Sequence, residues 1–208
     1  MIRDLYGDLA TYTGREPQLV KARAQTAAVE LAWLWPQFES DPERYYRETD
    51  LYQFDLTDYQ QRLRNNGTHT WLRQIVRDHG WSEGLDWGGG IGEWAMILAD
   101  EGVSMSYHDL YPSKTWDYAA WRFERHRARV RMIPDDPLGR DWPVVVIMDV
   151  LEHLPDPDSL LARLAQRTEY IFCNPSEVAR TWILPQHISE YSPKPWFTQV
   201  EHHLWKRN

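Results

Sequence analysis

The run "LDWGGGIGEWAMILADEG", Leu85 to Gly102, places Gly88, Gly89, Gly90 and Gly92 directly between an apolar strand-like segment and an apolar helix-like one. Side chains are dispensed with at a bend where the backbone takes positive φ or where another group approaches more closely than a Cβ allows. In an α/β unit that bend sits at the carboxyl end of the first strand and the amino end of its helix, where it forms a cradle for a nucleotide-type ligand. A chain with this turn is committed to a strand, a tight loop and a crossover helix in that order.

From Gly84 onward short apolar runs alternate with helical ones, the pattern of a parallel sheet with crossover helices. Strands are predicted over Leu85–Trp87, Val103–His108, Val130–Ile133, Val144–Met148 and Tyr170–Cys173, and helices over Gly92–Glu101, Ser113–His126 and Asp156–Arg167. On the last-but-one helix Trp116, Ala120 and Phe123 share one face and read as core. A final β-like run, "FTQVEHHLWKR", predicts an antiparallel edge strand. In a continuous strand the adjacent His202 and His203 point to opposite faces and cannot share a site. The expected class is α/β: a doubly wound, mostly parallel sheet with an antiparallel edge strand and an N-terminal helical extension.

Residues 1–80 read as that extension. "PQLVKARAQTAAVELAWLW" is rich in helix formers and stops at Pro36, and "THTWLRQIVRDHG" ends at Gly80. The polar and aromatic stretch between them is either a lid over a ligand or packing for the sheet. Residues 81–208 read as the ligand-binding domain.

With 208 residues the chain suits one buried domain with an extension. A formal net charge of −8 and the lack of any Lys/Arg run argue against nucleic acid as a partner. The most basic segment, "RFERHRARVR" (Arg122 to Arg131), reads as a solvated helix face. Twelve Trp and eleven Tyr suit both a core and a pocket that clasps an organic ligand. The lone Cys173 lies in an apolar strand run and reads as an inert core residue. Without a leader segment or an apolar run of ~18 residues, a cytoplasmic protein with no membrane partner is expected. Nothing in the sequence bears on oligomeric state.

The glycines alone are ambiguous, since Gly90, Gly92 and Ala95 also spell the G-x-G-x-x-A of a dinucleotide fold. Two carboxylates narrow the choice. Asp109 ends the second strand, where its oxygens could accept hydrogen bonds from both hydroxyls of a ribose, in NAD or in S-adenosylmethionine. Asp86 lies inside the first strand, where a dinucleotide enzyme usually has an apolar residue. A carboxylate there could pair with a ligand ammonium, directly or through water.

At this point the chain resembles the class I S-adenosylmethionine-dependent methyltransferases, from about Gly84 to about Ser192. The first motif is "LDWGGGIG". In order after it come Asp109, the acidic pair of "IPDDP", "VVVIMDVLEHLPDP" at strand four, and "YIFCNP" at strand five. The "DVLEHLPDP" segment is similar to small-molecule methyltransferases of the ubiquinone-biosynthesis type. The resemblance implies a Rossmann-like fold and S-adenosylmethionine as cofactor. It implies that Asp86, Gly88, Gly89, Gly90 and Gly92 surround the methionine part, that Asp109 holds the ribose and that Leu110 lies against the adenine. Asp135 or Asp136 would receive the adenine amino group, and Met148 and Asp149 would face the sulfonium and the acceptor. The chain departs from the family pattern at Trp142 and Pro143, where Phe-Asp commonly opens strand four. It departs again after strand five, where little room remains for a helix and two long closing strands.

Methyl transfer from a sulfonium chiefly requires alignment, with a base only where the acceptor is protonated. His153, His187 and Asp149 are the catalytic candidates, His187 as a base for a hydroxyl or phenol. Asp149, Glu152 and His153 at i, i+3, i+4 would share one side of a helical turn and, with His187, offer oxygen and nitrogen ligands to a divalent metal. That set resembles the Glu-x-x-Glu-His of small-RNA 2′-O-methyltransferases, with Asp149 in place of the first Glu. In many relatives the same residues only cap or pack the next helix. The expected activity is methylation of a small organic acceptor, at oxygen before nitrogen or carbon. The rivals are a metal-dependent RNA or nucleotide methyltransferase, a non-catalytic S-adenosylmethionine-binding protein, and an NAD-dependent oxidoreductase.

Overall fold

The computed structural model describes residues 3–174 and 184–208. Five helices come first: α1 (Leu5–Thr13), α2 (Pro17–Leu34), α3 (Pro42–Glu48), α4 (Leu51–Asn65) and α5 (Thr68–His79). Local chemistry sets their ends. Asp4 caps α1 by accepting from the Gly7 amide, Pro17 opens α2, Asp41 caps α3, and Gly80 closes α5 in the left-handed region.

The sheet follows as β1 (Glu83–Trp87), β2 (Ser104–His108), β3 (Val130–Met132), β4 (Trp142–Val146), β5 (Thr168–Phe172), β6 (Phe197–Glu201) and β7 (Leu204–Arg207). The helices α6 (Glu93–Asp100), α7 (Lys114–Arg125) and α8 (Pro157–Arg167) connect the parallel strands. Strand order is β3-β2-β1-β4-β5-β7-β6, parallel through β5 and antiparallel for β7 and β6. This is the doubly wound α/β fold that the sequence predicts. The order reverses direction at β1, and the crevice beyond the carboxyl ends of β1, β2 and β4 is the position where such sheets bind ligands.

Both faces of the sheet are covered, and the strand period of two divides the core accordingly. Val144, Val146 and Phe172 pack with α5, α6 and α7, while Val145, Ile147, Ile171 and Cys173 pack with α8 on the other side. Trp116 and Phe123 are core, as expected, and so is the fully buried Cys173.

Three expectations need correction. The final β-like run is a hairpin: His202 and His203 form its turn, His203 has φ +61°, and the two rings lie 3.9 Å apart instead of on opposite faces. Two short closing strands therefore fit where room was scarce. Strand four is shifted toward the N-terminus: Trp142 and Pro143 open it, the ladder to β1 begins only at Val145, and Met148 and Asp149 lie in the turn beyond. Finally, the basic segment after Trp121 is not wholly a solvated face. Arg122 is fully buried, donating to Glu93 (2.7 Å) and to the Ile91 carbonyl (2.7 Å) and pairing with Asp8 of α1 (3.4 Å). Asp8 also receives Arg125 and His126, and Glu93 also receives Arg64 of α4. This buried network ties the N-terminal helices to α6 and α7.

Candidate active site

A cavity of about 560 Å³ opens at the carboxyl ends of β1, β2 and β4 and is roofed by α3 and α4. Its floor begins at the glycine loop. Gly90 has φ +53°, its amide donates to Asp109 Oδ2 (2.7 Å), and a Cβ there would stand 2.8 Å from Leu56 of α4. The loop therefore has to be bare for the helix above to close on it. Gly88 and Gly89 line the same cavity. Gly92 does not: it precedes α6, and a Cβ would lie 2.5 Å from the Phe123 ring, so it serves the packing of α6 on α7.

Asp109 accepts from the amides of Gly90 and Leu110 (2.6 Å) and faces the cavity with Leu110 and His108. Burial raises its pKa, against the lowering effect of those amides. Asp86 lies behind the loop, 1% exposed, accepting from Ala95 N at the start of α6 (3.0 Å). Burial pushes its carboxyl up to about 8. It supports the turn from beneath and does not line the cavity. Asp135 and Asp136 are exposed outside the cavity, and Asp136 caps the turn at Leu138 and pairs with Arg163.

Beyond β4, Met148 and Asp149 line the cavity. Asp149 has φ +55°, a region non-glycine residues rarely occupy outside sites that hold them there. It accepts from the Tyr59 hydroxyl of α4 and from Asn174 Nδ2 (2.6 Å), at the end of β5. Three distant segments thus converge on one carboxylate, whose pKa is raised by burial.

The expected side-by-side set of Asp149, Glu152 and His153 does not form, because the left-handed turn at Asp149 interrupts the helical spacing and only Leu151–His153 make a single tight turn. The chain instead brings Glu152, His153 and His187 together, with ligand atoms all within 4.8 Å. Glu152 is 1% exposed and neither of its carboxylate oxygens has a hydrogen-bond partner among the described residues. Burial, with Asp149 nearby, lifts it to about 7. His153 faces the cavity. Its Nδ1 lies 3.0 Å from the Tyr46 hydroxyl and 3.2 Å from the Gln186 carbonyl. A carbonyl only accepts, so Nδ1 carries the proton and Nε2 the lone pair. Burial and His187 depress its pKa to about 3, which keeps the ring neutral.

Residues 52–176 match a protein family described as Methyltransferase domain, well over half of the chain. The chain belongs to this methyltransferase-domain family. No curated protein matches its sequence. Similar solved structures include the N-terminal domain of EvdMO1 with SAH bound (19% identity over 53% of this chain and 52% of that one, TM-score 0.46). Two others are TehB from Haemophilus influenzae (15%, 53% and 40%, TM-score 0.45) and an S-adenosylmethionine-dependent methyltransferase from Clostridium acetobutylicum (11%, 54% and 50%, TM-score 0.46). The chain thus matches about half the length of the first of these.

The donor set suits S-adenosylmethionine, the cofactor that the sequence resemblance implies. Asp109 offers acceptors at the end of β2. The loop amides border the same space. Among the described residues the lining contains carboxylates but no Lys or Arg to repel a sulfonium. None of the described helices is long and apolar enough to cross a membrane.

Tyr46, Tyr59 and Asn174 are the residues that the sequence reading missed. Asn174 carries a faint signal, a polar residue directly after a buried strand. The tyrosines lie in the aromatic stretch read as a lid or as packing, but nothing in their local spacing tells which rings reach the end of β4.

Proposed function

We propose that this cavity binds S-adenosylmethionine and that the protein methylates a small organic acceptor at oxygen. In this reading Gly88, Gly89 and Gly90 border the methionine end, Asp109 accepts from the ribose hydroxyls, and Leu110 and His108 flank the adenine. Asp86 acts from behind by holding the loop to α6, and residues 1–80 contribute the lid through α3 and α4. The bound cofactor supplies a methyl group on a sulfonium, which leaves as a neutral thioether when the acceptor oxygen displaces it. Tyr59 orients Asp149 at the acceptor end, where the carboxylate, its pKa raised by burial, takes the proton that the hydroxyl gives up, and the neutral His153 accepts a hydrogen bond at Nε2. His187 supports that ring from the side, 4.8 Å between centroids. The observation that carries the reading is the continuity of one cavity from the Asp109 loop to Asp149 and His153.

The experiment is incubation with methyl-labelled S-adenosylmethionine and a panel of phenols, alcohols, amines and carbon acids, with products read by mass spectrometry. Label in an ether supports the reading, and label only in amines or at carbon moves the acceptor atom. S-adenosylhomocysteine binding with no product across the panel would favour a binding protein that does not turn over.

A second reading adds a divalent cation held by Glu152, His153 and His187. It is favoured by the two unpartnered oxygens of Glu152. Calorimetric titration with Mn²⁺ and Zn²⁺, repeated on Glu152→Gln, tests it, and equal heats in the two proteins would remove it.

A further inference from the structure

We infer that the methyl acceptor carries a positively charged amino group, and that acidic or phosphorylated acceptors are refused. This rests on the proposed use of the cavity for methyl transfer and adds to it the charge of the substrate.

The cavity lining holds Asp41 and Glu43 at its α3 rim and Asp109 and Asp149 within, and, among the described residues, not one Lys or Arg. Among the described residues only Glu43 of these has an ion-pair partner, Arg47 at 3.2 Å on the exposed side of α3. Asp149 is held by two neutral donors, Tyr59 and Asn174, while His187 and Arg62 act on it through space without forming an ion pair with it among the described residues. Behind His153 lies a further buried carboxyl, Glu152, with neither oxygen partnered among the described residues.

S-adenosylmethionine brings a sulfonium, an ammonium and a carboxylate, a net of one positive charge, and the Asp109 end of the cavity is where its sugar would lie. The Asp149 end and the rim then keep a negative field that the cofactor does not neutralise. In a site shielded from water such a field strongly discriminates by charge.

The aromatic lining points the same way. Tyr46 stands between Tyr52 and His153, with ring centroids 5.2 Å and 5.5 Å apart, and all three rings line the cavity. Ring faces attract an ammonium and give nothing to a carboxylate or phosphate. Acidic side chains at the rim would also steer a cation inward and an anion away.

The test uses the full chain and three probes that share one phenol ring: tyramine (ammonium), tyrosol (neutral hydroxyl) and 4-hydroxyphenylacetate (carboxylate). Binding is measured by calorimetry on protein saturated with S-adenosylhomocysteine. Tyramine is expected to bind at least about tenfold more tightly than 4-hydroxyphenylacetate, with tyrosol between them. The paired rim variant Asp41→Asn, Glu43→Gln and, separately, Asp149→Asn should each narrow that ratio. The rim variant is exposed at the surface and keeps the test available where Asp149→Asn fails to fold. A carboxylate probe that binds as well as tyramine, an unchanged ratio in both variants, or no binding of any probe overturns the inference. The S-adenosylhomocysteine titration that precedes the probes reads the cofactor assignment by itself. Should it give no heat, that assignment fails, and the probe series on the bare protein still decides the charge preference.

Discussion

The hydroxyl of Tyr59, in the helix that roofs the cavity, donates to the carboxylate of Asp149, whose backbone sits in the left-handed region just past β4. That bond joins the N-terminal helices to the chemistry of the sheet. Replacing Tyr59 by Phe leaves Asn174 as the one donor to the Asp149 oxygens among the described residues. Loss of one donor to a buried carboxylate costs about 1–3 kcal/mol. Turnover should fall about tenfold or more while S-adenosylhomocysteine affinity, read by calorimetry, stays within about twofold.

The conformation of Asp149 gives a separate test. Asn and Gly tolerate a φ of +55°, whereas Ala loses about 1–2 kcal/mol there. Thermal denaturation should rank Asp149→Ala below Asp149→Asn and Asp149→Gly. Equal melting temperatures for Ala and Gly would show that the turn carries no strain.

Asp109→Ala should weaken S-adenosylhomocysteine binding by about 1–3 kcal/mol through loss of the ribose acceptors. The same variant frees the Gly90 and Leu110 amides, so circular dichroism must confirm that the fold is intact. Unchanged affinity in a folded variant would remove the assignment of Asp109.

Asp86 makes stability fall with rising pH. Its pKa is near 3.8 unfolded and about 8 in the fold, because burial disfavours the charge. Across that interval the fold keeps a proton that the unfolded chain has lost, so stability is fully present below 3.8 and is lost as pH rises through about 8. Glu152, lifted to about 7, acts in the same sense over a narrower range. The buried His69 and half-buried His203, lowered to about 4, and His153, lowered to about 3, act in the opposite sense, but only below about 6.5. The window to examine is therefore pH 6.5 to 8. Asp86→Asn keeps an acceptor for the Ala95 amide and should flatten the decline in melting temperature there; an unchanged slope would count against a protonated Asp86.

Arg122→Met should be severe although it lies outside the cavity. It leaves Glu93 and part of Asp8 as buried charges without their central partner. Breaking a buried pair from one side costs about 3–5 kcal/mol. Urea denaturation reads the loss directly. Adding Glu93→Gln in the same chain should recover part of it.

The doubly wound class was legible because each of its elements announces itself locally. A glycine turn after a strand, Asp109 after the next, and apolar runs of strand length all follow from the backbone and burial rules of a few neighbouring residues. Boundaries were less legible. Trp142 and Pro143 extend β4 at its start, where edge and turn composition look alike, and the hairpin at His202–His203 has no Gly or Asn-Gly to mark it.

The candidate site divides in the same way. Gly88, Gly89, Gly90, Asp109, Met148 and Asp149, which line the cavity, could be named from order along the chain, because strand ends of a parallel sheet all meet on one side. Asp135 and Asp136 could not be placed, since their position depends on where the chain after β3 turns away from the cavity. The helical spacing of Asp149, Glu152 and His153 suggested one ligand set. The left-handed φ at Asp149 separated them, and such a φ is invisible in a list of residues.

Read alone, the order of the residues determined the sheet, the nucleotide-type cradle and the family of the chain, since periodicity and glycine placement act over a few residues. Only the tertiary structure decided which carboxylates face the cavity, that Tyr46 and Tyr59 arrive from the N-terminal helices, and that Glu152 meets His153 and His187. Those contacts join segments far apart in the chain. Their geometry is set by how helices pack across a sheet, which no local pattern encodes.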